Sequence, residues 1–208
     1  MLTPARKRRR PNLGLSLIEA MVTLSIAGVL MALAAPNFSN WLQNSRIRVS
    51  TEALVAGLQY AKSEATTRNS LVRFQLTTTL GSDCVISTSG SHWVVDTVDT
   101  TSADDSVEGR CQTAPSDTVQ PGILQVRNAS EGSGTTRVLA SASAMTFNGL
   151  GRLTPTPNAA ISIDVSNPTA GDCASDGGVL TCLRVQVSPA GQVRMCNPRF
   201  PAGDPQAC

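Results

Sequence analysis

One carboxylate, Glu19, sits near the start of a stretch that carries no other charge from Leu15 to Ala35. At membrane depth an ionised carboxylate costs several kcal/mol unless it is paired or reaches the interface, so the chemistry it offers is charge pairing. Six cysteines, Cys84, Cys111, Cys173, Cys182, Cys196 and Cys208, all follow that stretch and offer disulfide chemistry. Arg184, Arg194 and Arg199, set against Asp204, make the C-terminal part basic and suited to phosphate groups. The remaining candidates are weak. The single histidine, His92, lies in a Ser/Gly-rich segment with no Ser-His-Asp or Cys-His arrangement around it. The pairs Asp104/Asp105 and Asp172/Asp176 fall in loop-like sequence, and there is no glycine-rich phosphate loop. No C-x-x-C pair accompanies the lone histidine, so no metal site is expected. The expectation is a protein that is not an enzyme, with no catalytic residue, metal or cofactor.

The elements that position Glu19 come first along the chain. Arg6, Lys7, Arg8, Arg9 and Arg10 precede the apolar stretch without an acidic residue, which keeps that end in the cytoplasm and sends the rest across. At about 1.5 Å of rise per residue, Leu15 to Ala35 is long enough for a hydrocarbon core of roughly 30 Å. Two processing schemes compete. Ala32-Leu33-Ala34 fits the small-x-small site of a secretory signal peptide, which would release a domain from Ala35. The carboxylate at Glu19 and the length of the apolar run argue for retention instead. Beyond the run, Pro36 is expected to interrupt the helix and Trp41 to mark the interface.

Ile47, Leu54, Leu58, Ala61 and Ala65 then recur at helical spacing among Arg46, Arg48, Glu52, Lys62, Glu64 and Arg68, an amphipathic helix whose stripe packs on the following domain. From Leu71 the helical period gives way to short β-rich runs punctuated by Gly, Ser, Thr, Asn and Pro. They are Leu71–Leu76, Trp93–Val98, Ile123–Arg127, Arg137–Ala140, Met145–Phe147, Ile161–Val165, Val179–Val187 and Gln192–Cys196. The last two, across Ser188-Pro189-Ala190-Gly191, read as a hairpin. The fold class is α+β: a long N-terminal membrane-spanning helix packed on a mainly antiparallel sheet domain. The divisions are a leader (1–14), a membrane half of the helix (15–36), an amphipathic half (37–70) and a disulfide-braced β domain (71–208). Short loops favour Cys173–Cys182 and Cys196–Cys208, leaving Cys84–Cys111.

A basic leader ending at Gly14, then Leu15 and an apolar helix with Glu19 at its fifth position, resembles the N-terminus of type IV pilins and pseudopilins. The resemblance implies that a prepilin peptidase cuts between Gly14 and Leu15 and methylates the new amine. It further implies anchoring in the bacterial inner membrane by a single pass, a periplasmic globular domain, and entry into a filament. Pilins usually begin with Phe, where this chain has Leu15. Cutting there places an ammonium in the same layer as Glu19, and a neighbouring subunit's ammonium can neutralise the carboxylate where water cannot.

Three further segments narrow the resemblance: Leu54-Val55-Ala56-Gly57-Leu58-Gln59-Tyr60-Ala61-Lys62-Ser63-Glu64-Ala65, Phe147-Asn148-Gly149-Leu150-Gly151-Arg152-Leu153, and Ser188-Pro189-Ala190-Gly191-Gln192-Val193-Arg194-Met195-Cys196. They look like the GspH/FimT family, which comprises minor pilins of type IV pili and the minor pseudopilin H of type II secretion. The implied function is a low-copy subunit that initiates or caps a pilus or pseudopilus, with other pilins or pseudopilins as partners. Gly81 to Ser133 carries none of these motif segments and is where a subunit is expected to hold its own specificity. Some FimT-type subunits capture DNA through a Gly-Arg-x-Arg element. Gly191-Gln192-Val193-Arg194 keeps one of its two arginines, with Arg199 and Arg184 nearby. Removing the leader leaves 12 basic and 15 acidic residues, a net charge of −3, which does not favour nonspecific DNA binding over the whole surface. Asp96, Asp99, Asp104, Asp105 and Glu108 read as one solvated acidic loop.

Overall fold

The computed structural model describes residues 16–116, 118–128 and 135–208, with no side-chain description for residues 34–36. Gly14 and Leu15, and the side chain of Pro36, lie outside the described residues. The chain divides into two units, Met1–Ser39 and Asn40–Cys208.

Helix α1 runs over Leu17–Arg68. Ser16 opens it: its hydroxyl accepts the Glu19 N–H at 3.2 Å, so Ser16-x-x-Glu19 supplies a side-chain N-cap. In the first unit α1 is apolar on all sides, and Leu17, Leu24 and Leu33 are 76%, 72% and 69% exposed. Counted as separate segments of α1 on either side of residues 34–36, neither Leu17–Leu33 nor Asn37–Arg68 is long and apolar enough to cross a membrane by itself, whereas the pair satisfies the requirement by length and composition. Leu17–Leu33 alone rises about 26 Å, short of roughly 30 Å, because the stretch read from sequence also counted Leu15 and continued to Ala35.

In the second unit the helical stripe does what its spacing predicts. Ile47, Leu54, Leu58, Ala61 and Ala65 are all buried. They share one core with Phe74, Trp93, Met145, Phe147, Ile163, Val185 and Val187. Gly57 lets the helix approach closely: a Cβ there would stand 2.8 Å from the Trp93 ring and 2.9 Å from Phe74. The helix ends at Asn69, in the left-handed region at φ 49°, with the Ser70 N–H returning to the Ala65 carbonyl at 3.2 Å. That is a C-terminal cap of the kind usually made by Gly.

Eight strands follow: β1 (Val72–Thr77), β2 (His92–Thr97), β3 (Gly122–Arg127), β4 (Arg137–Ala140), β5 (Ala144–Phe147), β6 (Ile161–Ser166), β7 (Leu183–Val187) and β8 (Val193–Cys196). They form two four-stranded antiparallel sheets, ordered β3-β2-β1-β5 and β4-β6-β7-β8. The run read as one strand over Val179–Val187 is shorter, since β7 begins at Leu183. Leu180 instead makes a parallel bridge to Cys173, beside the Cys173–Cys182 disulfide.

Sheet one is buried on both faces at β2, which is why its pattern is not a simple alternation. Trp93 and Val95 face α1. Val94 joins Cys84, Val107, Cys111 and Ile123 in a second, smaller core. The loops on either side of β2, which carry Cys84, Val107 and Cys111, therefore cover the far face of sheet one.

Candidate functional site

Glu19 lies in the first turn of α1, where the helix dipole favours a carboxylate. Its neighbours Ile18, Met21 and Val22 are exposed hydrocarbon. A lone acid therefore marks one end of an apolar cylinder. The Ser16 cap adds a local role that the sequence signalled through the S-x-x-E spacing and that the charge-pairing reading alone overlooked.

The three segments that carry the family resemblance converge at the C-terminal end of α1. Lys62 donates to the Gly191 carbonyl at 2.8 Å, and the Leu153 N–H donates to the Pro189 carbonyl at 3.2 Å. The Asn148 carboxamide oxygen accepts the Leu150 and Arg152 N–H groups at 3.0 and 3.1 Å, shaping the 148–152 turn. Gly191 is required twice over. Its φ is +77°, and a Cβ would collide with the Gly151 carbonyl oxygen. These motif residues build a joint between helix, loop and terminal hairpin.

The register Arg184↔Cys196 and Gln186↔Arg194 puts Arg184 and Arg194 at diagonal positions on one face of sheet two, and each is engaged by groups of this chain. Arg184 forms a two-point pair with Asp164 across β6 and β7, at 2.7 and 3.1 Å. Arg194 donates to the Gln186 side-chain oxygen at 2.7 and 3.1 Å and reaches the Ala207 and Cys208 main-chain oxygens at 3.4 and 3.3 Å. Arg199 is exposed. The tail that holds Arg194 is itself clasped by Cys196–Cys208. The other disulfides are Cys84–Cys111 and Cys173–Cys182, and no cysteine is free.

Of the acidic residues read as one solvated loop, Asp104 and Glu108 are exposed as expected, whereas Asp96, within β2, is not. Asp96 is fully buried. Arg73 lies 2.5 Å from it and 3.0 Å from Asp105, and Gln75 donates to Asp96 at 2.8 Å. Burial pushes the Asp96 carboxyl up to about 6, against the lowering pull of Arg73 and Gln75. Asp105 accepts the Asp99 N–H at 2.8 Å, and Glu108 accepts that of Ile86 at 2.9 Å. These carboxylates tie the covering segment down. Asp96 follows Val95 and so lies on the far face of sheet one with Arg73, Gln75 and Val94, and the cover over that face buries it. Burial also lowers the His92 pKa, opposed by a bond to Asn128. His92 is thus engaged by an amide, and among the described residues no group of three or more His, Cys, Asp and Glu side chains is placed to hold a metal ion.

Residues 50–191 match the family model described as Type II transport protein GspH, and residues 9–35 match the prokaryotic N-terminal methylation motif. Among solved structures, the type IV minor pilin FimU of Pseudomonas aeruginosa is similar with a TM-score of 0.50 at 19% identity, covering 81% of this chain and 98% of that one. A second crystal form of FimU gives 0.46 at 20% identity, over 77% and 98%. The first of these likenesses shows a shared fold. No curated protein matches the sequence.

Proposed function

The chain belongs to the GspH family and carries the N-terminal methylation motif of the type IV minor pilin and pseudopilin class, and on that premise we propose that it is a minor filament subunit cut after Gly14. Its mature N-terminus is then Leu15, methylated by the prepilin peptidase. Residues 15–36 serve first as inner-membrane anchor and then as filament core, residues 37–70 as stem, and residues 71–208 as the displayed domain. The observation that carries this reading is the exposed apolar length of α1 around the single charge of Glu19. Such a surface needs lipid or neighbouring helices, and within either its carboxylate needs a cation.

Glu19 pairs with the N-terminal ammonium of an adjacent subunit, and the low copy number implied by a minor subunit suits initiation or capping of the filament. Arg184 is committed to Asp164 and Arg194 to the tail, which supports assembly ahead of DNA capture as the main role. The reading is tested on protein from its own cells. The N-terminal peptide is expected to begin at methylated Leu15, and Glu19→Ala to be cleaved normally yet be absent from the filament fraction. A chain beginning at Ala35, or a Glu19→Ala variant incorporated like wild type, overturns it.

A further inference from the structure

The edge strands of the two sheets are not finished alike. Three of them have an outward main-chain carbonyl or amide taken up by the chain's own loops. The Ser116 N–H donates to Ile123 on β3 at 2.8 Å, Ala140 on β4 donates to Thr88 at 2.7 Å, and Thr154 donates to Thr146 on β5 at 2.9 Å. Such covering is how sheets protect their edges.

β8 is different. The Ser188 N–H donates to the Gln192 carbonyl at 2.9 Å, and β8 then pairs with β7 through Val187↔Val193, Gln186↔Arg194, Val185↔Met195 and Arg184↔Cys196. The alternation of an antiparallel ladder turns the main chain of Gln192, Arg194 and Cys196 toward β7 and that of Val193 and Met195 away from it. The next outward position, Asn197, is covered, since its N–H donates to the Gln206 carbonyl at 2.8 Å. Val193 and Met195 have no such partner among the described residues.

A groove of about 550 Å³ adjoins this edge, with Trp41, Asn44 and Arg48 of α1 on one side and Leu183 and Met195 of sheet two on the other. Val193 and Met195 stand opposite Val187 and Val185, which face the core. Arg194 therefore lies on the other face, with no Asp or Glu side chain among its hydrogen-bond acceptors there.

We propose that β8 is a strand-addition edge that receives an extended segment of another subunit of the filament, apolar where it meets Met195, Leu183 and Trp41 and acidic at the neighbouring position beside Arg194. Main-chain donors and acceptors that recur every second residue match an extended backbone, and the period of two delivers successive side chains to opposite faces. The apolar groove on one face and the arginine on the other fix the chemistry of that alternation. The inference rests on the filament-subunit reading.

The test uses the full chain in its own cells with the photo-crosslinker benzoylphenylalanine at Met195, and at exposed Leu150 as the control. The expected adduct at Met195 is a peptide from a different filament subunit, with apolar and acidic residues alternating, and it is lost in Val193→Pro. Proline there removes an outward N–H without removing a ladder bond to β7. A measurement free of substitutions accompanies it: the Val193 and Met195 amides exchange fast in the detergent-solubilised subunit and about tenfold or more slowly in the filament. Equal exchange in both forms overturns the proposal, as does an adduct with a second copy or with lipid, or one no different from the Leu150 control. Those results leave filament entry intact, whereas absence of the chain from the filament overturns the underlying reading as well.

Discussion

Two stretches of the same helix, 17–33 and 47–65, meet opposite fates. Leu17, Leu24 and Leu33 are mostly exposed, whereas Leu54 and Leu58 are 1% and 0% exposed. The first stretch is apolar all round and the second only on a stripe, and that difference in pattern decides which surroundings each was selected for. The chain's own domain satisfies the second. The first is apolar surface for a different environment, and its one charge marks where that environment must supply a partner.

The contrast can be broken at its buried end. Leu58→Ala is expected to cost about 2–5 kcal/mol of domain stability through lost contacts and a residual cavity, while Leu24→Ala in the exposed stretch leaves unfolding unchanged. Denaturant unfolding of both full-length variants in detergent checks this, and similar losses would mean that the domain buries both stretches. Replacing Cys196 and Cys208 together by Ala is expected to cost roughly 2–4 kcal/mol and to free the tail that grips Arg194. Faster amide exchange over residues 204–208 reads that out.

The smallest effect concerns pH. Since burial raises the folded Asp96 pKa from 3.8 to about 6, the folded state holds that proton more tightly than the unfolded chain. Its contribution to stability is full below about pH 4 and is lost as pH rises through about 6. Asp96→Asn, which imitates the protonated acid, is expected to flatten that part of the stability profile. An unchanged slope between pH 4 and 6 would show that Asp96 is not its source.

Much of this was legible in the sequence for a local reason. The amphipathic helix read over 37–70 ends at Arg68 in the structure, and all eight β-rich runs contain strands because Gly, Pro, Ser and Asn punctuate them. Shortest-loop reasoning also selects the three cysteine pairs that the structure contains. What escaped depends on partners distant in sequence. Asp96 looked like part of a polar loop because its neighbours 99, 104, 105 and 108 are acidic, and only the return of the covering segment buries it beneath Arg73 and Asp105. Leu180 looked like strand because its neighbours continue the β-rich run, yet the Cys173–Cys182 disulfide holds it in a separate bridge. The bare edge of β8 had no sequence signal, since it depends on where the tail stops covering.

The Lys62–Gly191 hydrogen bond joins positions 129 residues apart, and this gives the domain a mechanical character. Tension applied along α1 meets the terminal hairpin directly at Lys62, as well as sheet one where Gly57 packs on Phe74 and Trp93. The disulfides across separations of 27, 9 and 12 residues withhold those lengths of chain from extension. A pulled subunit built this way shares load between its first helix and its last strands, and yields less slack when one of them gives.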